Sequence, residues 1–374
     1  MTQCDGPASI EHSKGHATLV PWRASEVFGR ADSINAEHKT MKIICFDRMR
    51  SIATSLIGAG LRLVVLGMLT GSCVAQTNTT PGKTSGTDES ATANWTVRGH
   101  IPPDQFLIQS HRGAGELAPE NTLEAFELGW KMGTVPESDL RTTKDGVIVT
   151  FHDANFKRVV KGASPALQKK GVADITFAEL AKLDVGSWKG ESFEGHHVPK
   201  LSEVFALMKG KPERRLYLDI KNVDLEQLAA EVRAYDVARQ IIFTTTKYDM
   251  IRDWKKLVPE SQTLNWMGGT EAELTKRLEE VRAANFAGIT QLQLHVRLNT
   301  NSAVAGAFNL SPGFLRSVGT ELRAHGIVYQ SLPWGVTEPK IYWQLLDLGV
   351  MAFATDRPDI TLQAVQDYYA GVKP

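Results

Sequence analysis

Cysteine is nearly missing from this chain of 374 residues. Cys4, Cys45 and Cys73 all fall early, so nothing after Cys73 can form a disulfide or a thiolate metal site. Any metal held further along must use oxygen or imidazole, and an oxygen set favours a hard cation such as Ca²⁺ or Mg²⁺. An excess of charge is missing too, since Lys+Arg 42 balances Asp+Glu 42. That removes the electrostatic case for nucleic acid or an anionic membrane surface, each of which selects a basic patch. No GxGxxG or GxxxxGK[ST] loop follows any β-rich run, which speaks against an open nucleotide-binding sheet. The apolar run LVVLGMLTG is too short to cross a bilayer, so no stable membrane span is expected.

That run nevertheless has a context. Arg50 and Arg62 precede it and small residues ending in CVA follow, the pattern of a secretory signal over residues 49–75 cut near Ala75. Arg62 and the short run disfavour a retained anchor. Lipid attachment at Cys73 is less favoured, because Leu69 stands one position too early. Export, to a periplasm or the medium, is the expectation in each case. Residues 1–48 show no apolar period and read as a start placed too far upstream, with Met49 or Met41 as the true one. Residues 76–94, rich in Thr, Ser, Gly and Asn, read as a flexible linker, which leaves residues 95–374 as the folded domain.

From Phe106 onward, short β-rich runs alternate with longer stretches of helical period. FLIQSH, VPESDLR, LYLDIK, QIIFTTT, QTLNWM, GITQLQL, IVYQSL and MAFAT are the strands; LEQLAAEVRAY and EAELTKRLEEVRAA are typical of the helices. Alternation of this kind builds a parallel sheet, and these runs match a (β/α)8 TIM barrel, which takes about 250 residues. Residues 154–200 have weak periodicity and several glycines, and read as a small loop insertion after the second strand.

Such a barrel gathers its chemistry at the C-terminal ends of the strands. SHRG offers His111 and Arg112, PESDLR offers Glu137 and Asp139, the hairpin TTKDGVIVTFHD brings His152, and LYLDIK carries Asp219 and Lys221 on the face of Tyr217. Carboxylates suit a hard cation, an Arg fork and a Lys charge suit phosphate oxygens, and two imidazoles suit proton transfer near neutral pH. Together these types fit phosphoester chemistry.

The run HRGAGELAPENTLEAF followed by ESDLRTTKDGVIVTFHD resembles the glycerophosphodiester phosphodiesterase family, as do VPKLSEVFALMKGK, PWGV and FATDRPD later in the chain. The resemblance implies a metal-dependent phosphoric diester hydrolase that releases glycerol 3-phosphate and an alcohol from a small-molecule diester through a cyclic phosphate. It makes His111 and His152 the acid and base, Glu137, Asp139 and Asp219 the ligands of one divalent cation, Ca²⁺ or Mg²⁺, and Arg112 and Lys221 the phosphate holders. Asp219 stands where the family usually has glutamate. Trp334, in the segment resembling the late tryptophan strand, would wall the pocket near the glycerol.

Duller readings accompany these. Glu137 and Asp139 on a solvated edge conflict with a barrel strand buried on both faces. Asp219 with Lys221 could be a structural ion pair alone. Asp153 reads as an orienting or turn-capping residue, and Glu120 or Asn121 as a helix start. His196 and His197 read as exposed loop residues, while Gln291, Gln293 and His295 alternate without declaring their face. Two further functions remain open: a lysophospholipase D-like or other phosphodiesterase, and a non-catalytic barrel that binds a phosphate ligand.

Overall fold

The computed structural model describes residues 95–299 and 307–372. The readings of residues 1–48, 49–75 and 76–94, and all three cysteines, lie outside the described residues. Among the described residues no helix is long and apolar enough to cross a membrane.

The strands are β1 (Leu107–Ser110), β2 (Val135–Thr142), β3 (Ile148–Thr150), β4 (Leu216–Asn222), β5 (Ile241–Thr245), β6 (Gln262–Met267), β7 (Gln291–Arg297), β8 (Val328–Trp334) and β9 (Ala352–Thr355). All but β3 run parallel, in the order β1-β9-β8-β7-β6-β5-β4-β2, and β1 pairs with β2 to close the ring. This is the TIM barrel expected from the alternation. β3 lies antiparallel on the outer part of β2, the hairpin legible in TTKDGVIVTFHD.

The helices form because their apolar residues recur at helical spacing and their first turns are capped. In Leu225–Tyr235 the buried Leu228, Ala229 and Val232 share one face, and Asp224 accepts a hydrogen bond from the Gln227 amide. In Glu271–Ala283 Thr270 and Glu273 make a reciprocal capping box, and Leu274, Leu278 and Val281 face the sheet. Those faces meet the outward side chains of the strands in one large core that includes Leu218, Phe243, Leu292 and Phe353. Residues 154–200 are attached to the hairpin through a separate small core of Val149, Phe151, Phe156, Val159, Leu180 and Val198.

Inside the barrel, below the mouth, the side chains are unusually polar. Gln293 donates to Gln109 and Gln330, Gln330 donates to the Tyr217 hydroxyl, and that hydroxyl donates to Gln291 at 2.8 Å. Gln291, Gln293 and His295 therefore face inward. β7 runs on to Arg297, further than GITQLQL suggested, and this extension lifts His295 to the mouth.

Candidate active site

Three buried carboxylates lie at the strand ends. Glu137 and Asp139 come from β2 and Asp219 from β4, with 2%, 0% and 9% exposure, and Asp139 pairs in register with Asp219 across the two strands. Each offers an oxygen within 4.8 Å of the others. The shorter arm of Asp219 thus still reaches the cluster.

Three anions in a buried space repel one another, and the surroundings answer only in part. Burial and the Asp139 charge push the Glu137 carboxyl well above the usual carboxylate range. Burial acts against Asp139 as well, but Lys221, His152 and Arg112 outweigh it and hold that group low. Asp219 is raised by burial, opposed by Lys221. Lys221 Nζ lies 2.6 Å from Asp219 Oδ2 and 3.0 Å from Asp139 Oδ1, the latter an ion pair without hydrogen-bond geometry. Asp139 Oδ1 therefore keeps lone pairs to spend. An oxygen-only set, charge-deficient and preorganised, fits a hard divalent cation.

The loop after β1 is bent to aim its side chains. Arg112 has φ of 52° and Gly113 of 105°, and a Cβ on Gly113 would strike Ala125. The turn presents the Arg112 amide to Glu137 at 2.7 Å and leaves the buried Arg112 Nε without a hydrogen-bond partner, 3.8 Å from Asp139 Oδ2, a donor whose hydrogen bond is still to be made. Asn121, also left-handed with φ of 57°, grips Asp139 twice: its amide donates to Oδ2 at 2.9 Å and its carbonyl accepts from the Asp139 amide at 3.0 Å. The helix start itself is capped by Thr122, so Glu120 and Asn121 serve the site rather than the cap.

Both histidines are held by carboxylates. His111 donates from Nδ1 to Asp356 at 2.7 Å, and His152 donates from Nδ1 to Asp153 at 2.8 Å, which leaves each Nε2 for the pocket. Burial lowers the basicity of His111, but the Asp356 hydrogen bond and the Glu137 charge more than offset it, so its pKa is raised. Arg141 fixes the backbone of His152 through two hydrogen bonds to its carbonyl. Asp153 acts as the orienting residue expected of it.

Trp334 sits beside both His111 and His295, with ring centroids 5.7 and 5.6 Å away and near-perpendicular planes. Its buried Nε1 has no partner. His295 in turn stacks on Trp266 at 4.9 Å. Its Nε2–H donates to Gln293, and burial followed by the charge of His111 lowers its pKa to about 4. It is therefore a neutral wall.

That neutrality makes an acid-sensitive stability. With the folded pKa lowered, the contribution is complete above about 6.5 and is lost as pH falls through the folded value, roughly 3 kcal/mol in all. Chemical denaturation at pH 7 and pH 4.5 checks it: His295→Gln is expected to lose about 2 kcal/mol less than the parent between the two pH values. Equal losses would remove His295 as the cause.

All eight residues singled out from sequence, His111, Arg112, Glu137, Asp139, His152, Asp219, Lys221 and Trp334, are at this mouth. Sequence reasoning missed Asp356, Trp266 and Arg158 and undervalued Glu120. Asp356 follows β9 directly, so the strand-end rule would have found it. His197 is exposed as expected but His196 is part-buried; they use Nδ1 on the carbonyls of Leu183 and Phe193, His196 Nε2 lies 3.8 Å from Glu124, and neither joins the cluster of Glu137, Asp139 and Asp219. A cavity of about 230 Å³ joins His111, Arg112 and Trp334 to Trp188 and Lys189 of the insertion. A larger hollow of about 940 Å³ lies at the strands' N-terminal ends, beside Leu107, Val135 and Arg215, and no histidine lines it.

Comparison with known proteins gives a consistent picture. The model of the glycerophosphoryl diester phosphodiesterase family matches residues 111–360. A glycerophosphodiester phosphodiesterase of Caldanaerobacter subterraneus is 26% identical over 268 residues, 70% of this chain and 98% of its own length. One from Bacillus subtilis is 26% identical over 72% of this chain and 89% of its own. The fold is shared with a phosphodiesterase of Oleispira antarctica solved with the product sn-glycerol-3-phosphate, at TM-score 0.51 and 24% identity, covering 73% of this chain and 100% of that one. With a family match spanning most of the chain and the barrel that its solved relatives share, this chain belongs to the glycerophosphoryl diester phosphodiesterase family, a family of phosphoric diester hydrolases.

Proposed function

We propose that the chain hydrolyses small glycerophosphodiesters to glycerol 3-phosphate and an alcohol, using one divalent cation, Ca²⁺ or Mg²⁺, and two histidines. The observation that carries this reading is the pair of imidazoles, each tied through Nδ1 to a carboxylate, beside three buried carboxylates and two cations. Simple phosphate binding would need neither oriented imidazole, which disfavours the non-catalytic barrel.

In the proposed reaction Arg112, with its unspent Nε, and Lys221 hold the phosphoryl oxygens. Trp334 and the neutral His295 form the wall against which the glycerol lies. The glycerol hydroxyl next to the ester attacks phosphorus; one imidazole Nε2 takes its proton and the other protonates the departing alcohol. A cyclic phosphate results. Water then opens the ring with the two imidazoles exchanging roles, which restores their starting protonation. A cation bound by Glu137, Asp139 and Asp219 would supply positive charge against the phosphoryl oxygens as negative charge builds there.

Among the residues facing the mouth cavity, His111, Arg112, Glu116, Glu120, Lys189 and Asp356 are ionisable, which supports a deacylated diester over a lysophospholipid. Incubation with glycerophosphocholine and, separately, lysophosphatidylcholine tests both. Release of glycerol 3-phosphate from the first is expected; no product from any of several glycerophosphodiesters would end the proposal, and preference for the acylated substrate would replace it with the lipid reading. The signal pattern at residues 49–75 supports action after export, which mass spectrometry of the mature N-terminus checks; an N-terminus upstream of Met49 would remove it.

A further inference from the structure

Arg158 lies at the root of the insertion, five residues past Asp153, in a stretch whose sequence announces little. Its guanidinium makes four charge-assisted hydrogen bonds. Nε and Nη2 donate to the two oxygens of Asp153, both at 2.8 Å, and Nη1 and Nη2 donate to the two oxygens of Glu120, both at 2.6 Å. Asp153 is the carboxylate that holds Nδ1 of His152. Glu120 accepts from Nη1 of Arg112 with both oxygens at 3.1 Å.

One planar fork therefore joins the carboxylate behind an imidazole to the carboxylate behind a phosphate-binding arginine. We infer that Arg158 is a positioning residue for this reaction: it sets the placement of His152 relative to Arg112 through Asp153 and Glu120, without touching substrate itself. The inference rests on the reading of His152 and Arg112 given above.

The geometry makes the fork itself the requirement. Only a guanidinium presents donors along two edges in one plane, so it can serve two carboxylates at once; a lysine ammonium is a point charge on a flexible stem. Without the fork, Asp153 and Glu120 are like charges whose remaining side-chain hydrogen-bond partners are His152 and Arg112 respectively. Glu120 then competes with the phosphate for Arg112, and Asp153 is free to swing with the imidazole it carries. Small misplacements of a proton-transfer group cost rate more than binding, because the error is felt in the transition state.

Arg158→Met and Arg158→Lys, assayed on glycerophosphocholine beside the parent, test this. Both are expected to lower kcat by about 30- to 100-fold, with KM changed less than about threefold and the thermal midpoint close to the parent's. Methylguanidine added to Arg158→Ala is expected to restore part of the lost kcat with saturation, because the side chain is 40% exposed and leaves an accessible slot. Parental kcat in Arg158→Met overturns the inference, as does full recovery in Arg158→Lys, which would show that charge alone suffices. A loss of activity that follows a fall in thermal midpoint in every variant, with no methylguanidine rescue, makes the residue merely structural and overturns it too. An inactive parent would instead refute the proposed function, so the two failures are distinct.

Discussion

His111→Ala is expected to lower kcat by about 10³-fold while leaving the cation stoichiometry unchanged. The imidazole is placed by three independent devices: the sharp turn after β1, the Asp356 hydrogen bond at 2.7 Å and the edge of Trp334. His111 is no member of the cluster of Glu137, Asp139 and Asp219. Removing it therefore separates proton transfer from charge neutralisation. Steady-state kinetics and metal analysis on the same preparation check both halves. Activity near the parent's would remove His111 from the chemistry, and loss of the cation would make it a ligand. Asp356 is left without its partner in the variant, so the thermal midpoint should be compared as well; a small fall is expected because that carboxylate is partly open to water.

The second large effect is withdrawal of the cation. Dialysis against EDTA is expected to depress turnover by at least about 10²-fold, and Ca²⁺ or Mg²⁺ to restore it, with the better ion identified by the lower concentration required. Stability should follow: an ion present at 100 times its dissociation constant adds about 2.7 kcal/mol to the folded state. The pH dependence carries a definite sign. Without a cation the Glu137 carboxyl is held high by burial and by Asp139, so at neutral pH it must lose a proton to become a ligand. Binding should therefore release a proton and tighten as pH rises. Titration calorimetry in buffers of different ionisation enthalpy measures that release. Heat independent of buffer, or turnover indifferent to EDTA, would mean that the three carboxylates serve another purpose.

The sequence disclosed these residues because their signals are short in range. Glu137 with Asp139 and Asp219 with Lys221 are spaced by two within strands, so period-two alternation fixes the face each pair shares, while His111 and Arg112 follow β1 directly in the turn at its C-terminal end. Helices such as Leu225–Tyr235 were legible for the same reason, their apolar period and cap being local. What stayed hidden depends on partners far away in the chain. Asp356 meets His111 across 245 residues, and Glu120 meets Arg158 across 38. No local pattern distinguishes Glu120 in PENT from an ordinary first-turn acid, so the cap explanation looked sufficient until Thr122 was found to perform it. His295 was ambiguous because its orientation depends on how far β7 runs, which pairing with β8 up to Trp334 decides.

The separate small core beneath residues 154–200 has an evolutionary consequence. Phe156, Val159, Leu180 and Val198 are satisfied by one another and by the hairpin, so substitutions among them need not loosen the large core inside the ring of helices. Trp188 and Lys189, which this lobe carries to the mouth, can therefore drift while the carboxylates stay fixed. Under the proposed function, change there would alter the rim of the mouth and leave the three carboxylates in place, with Arg158 marking the inner limit of the region open to change.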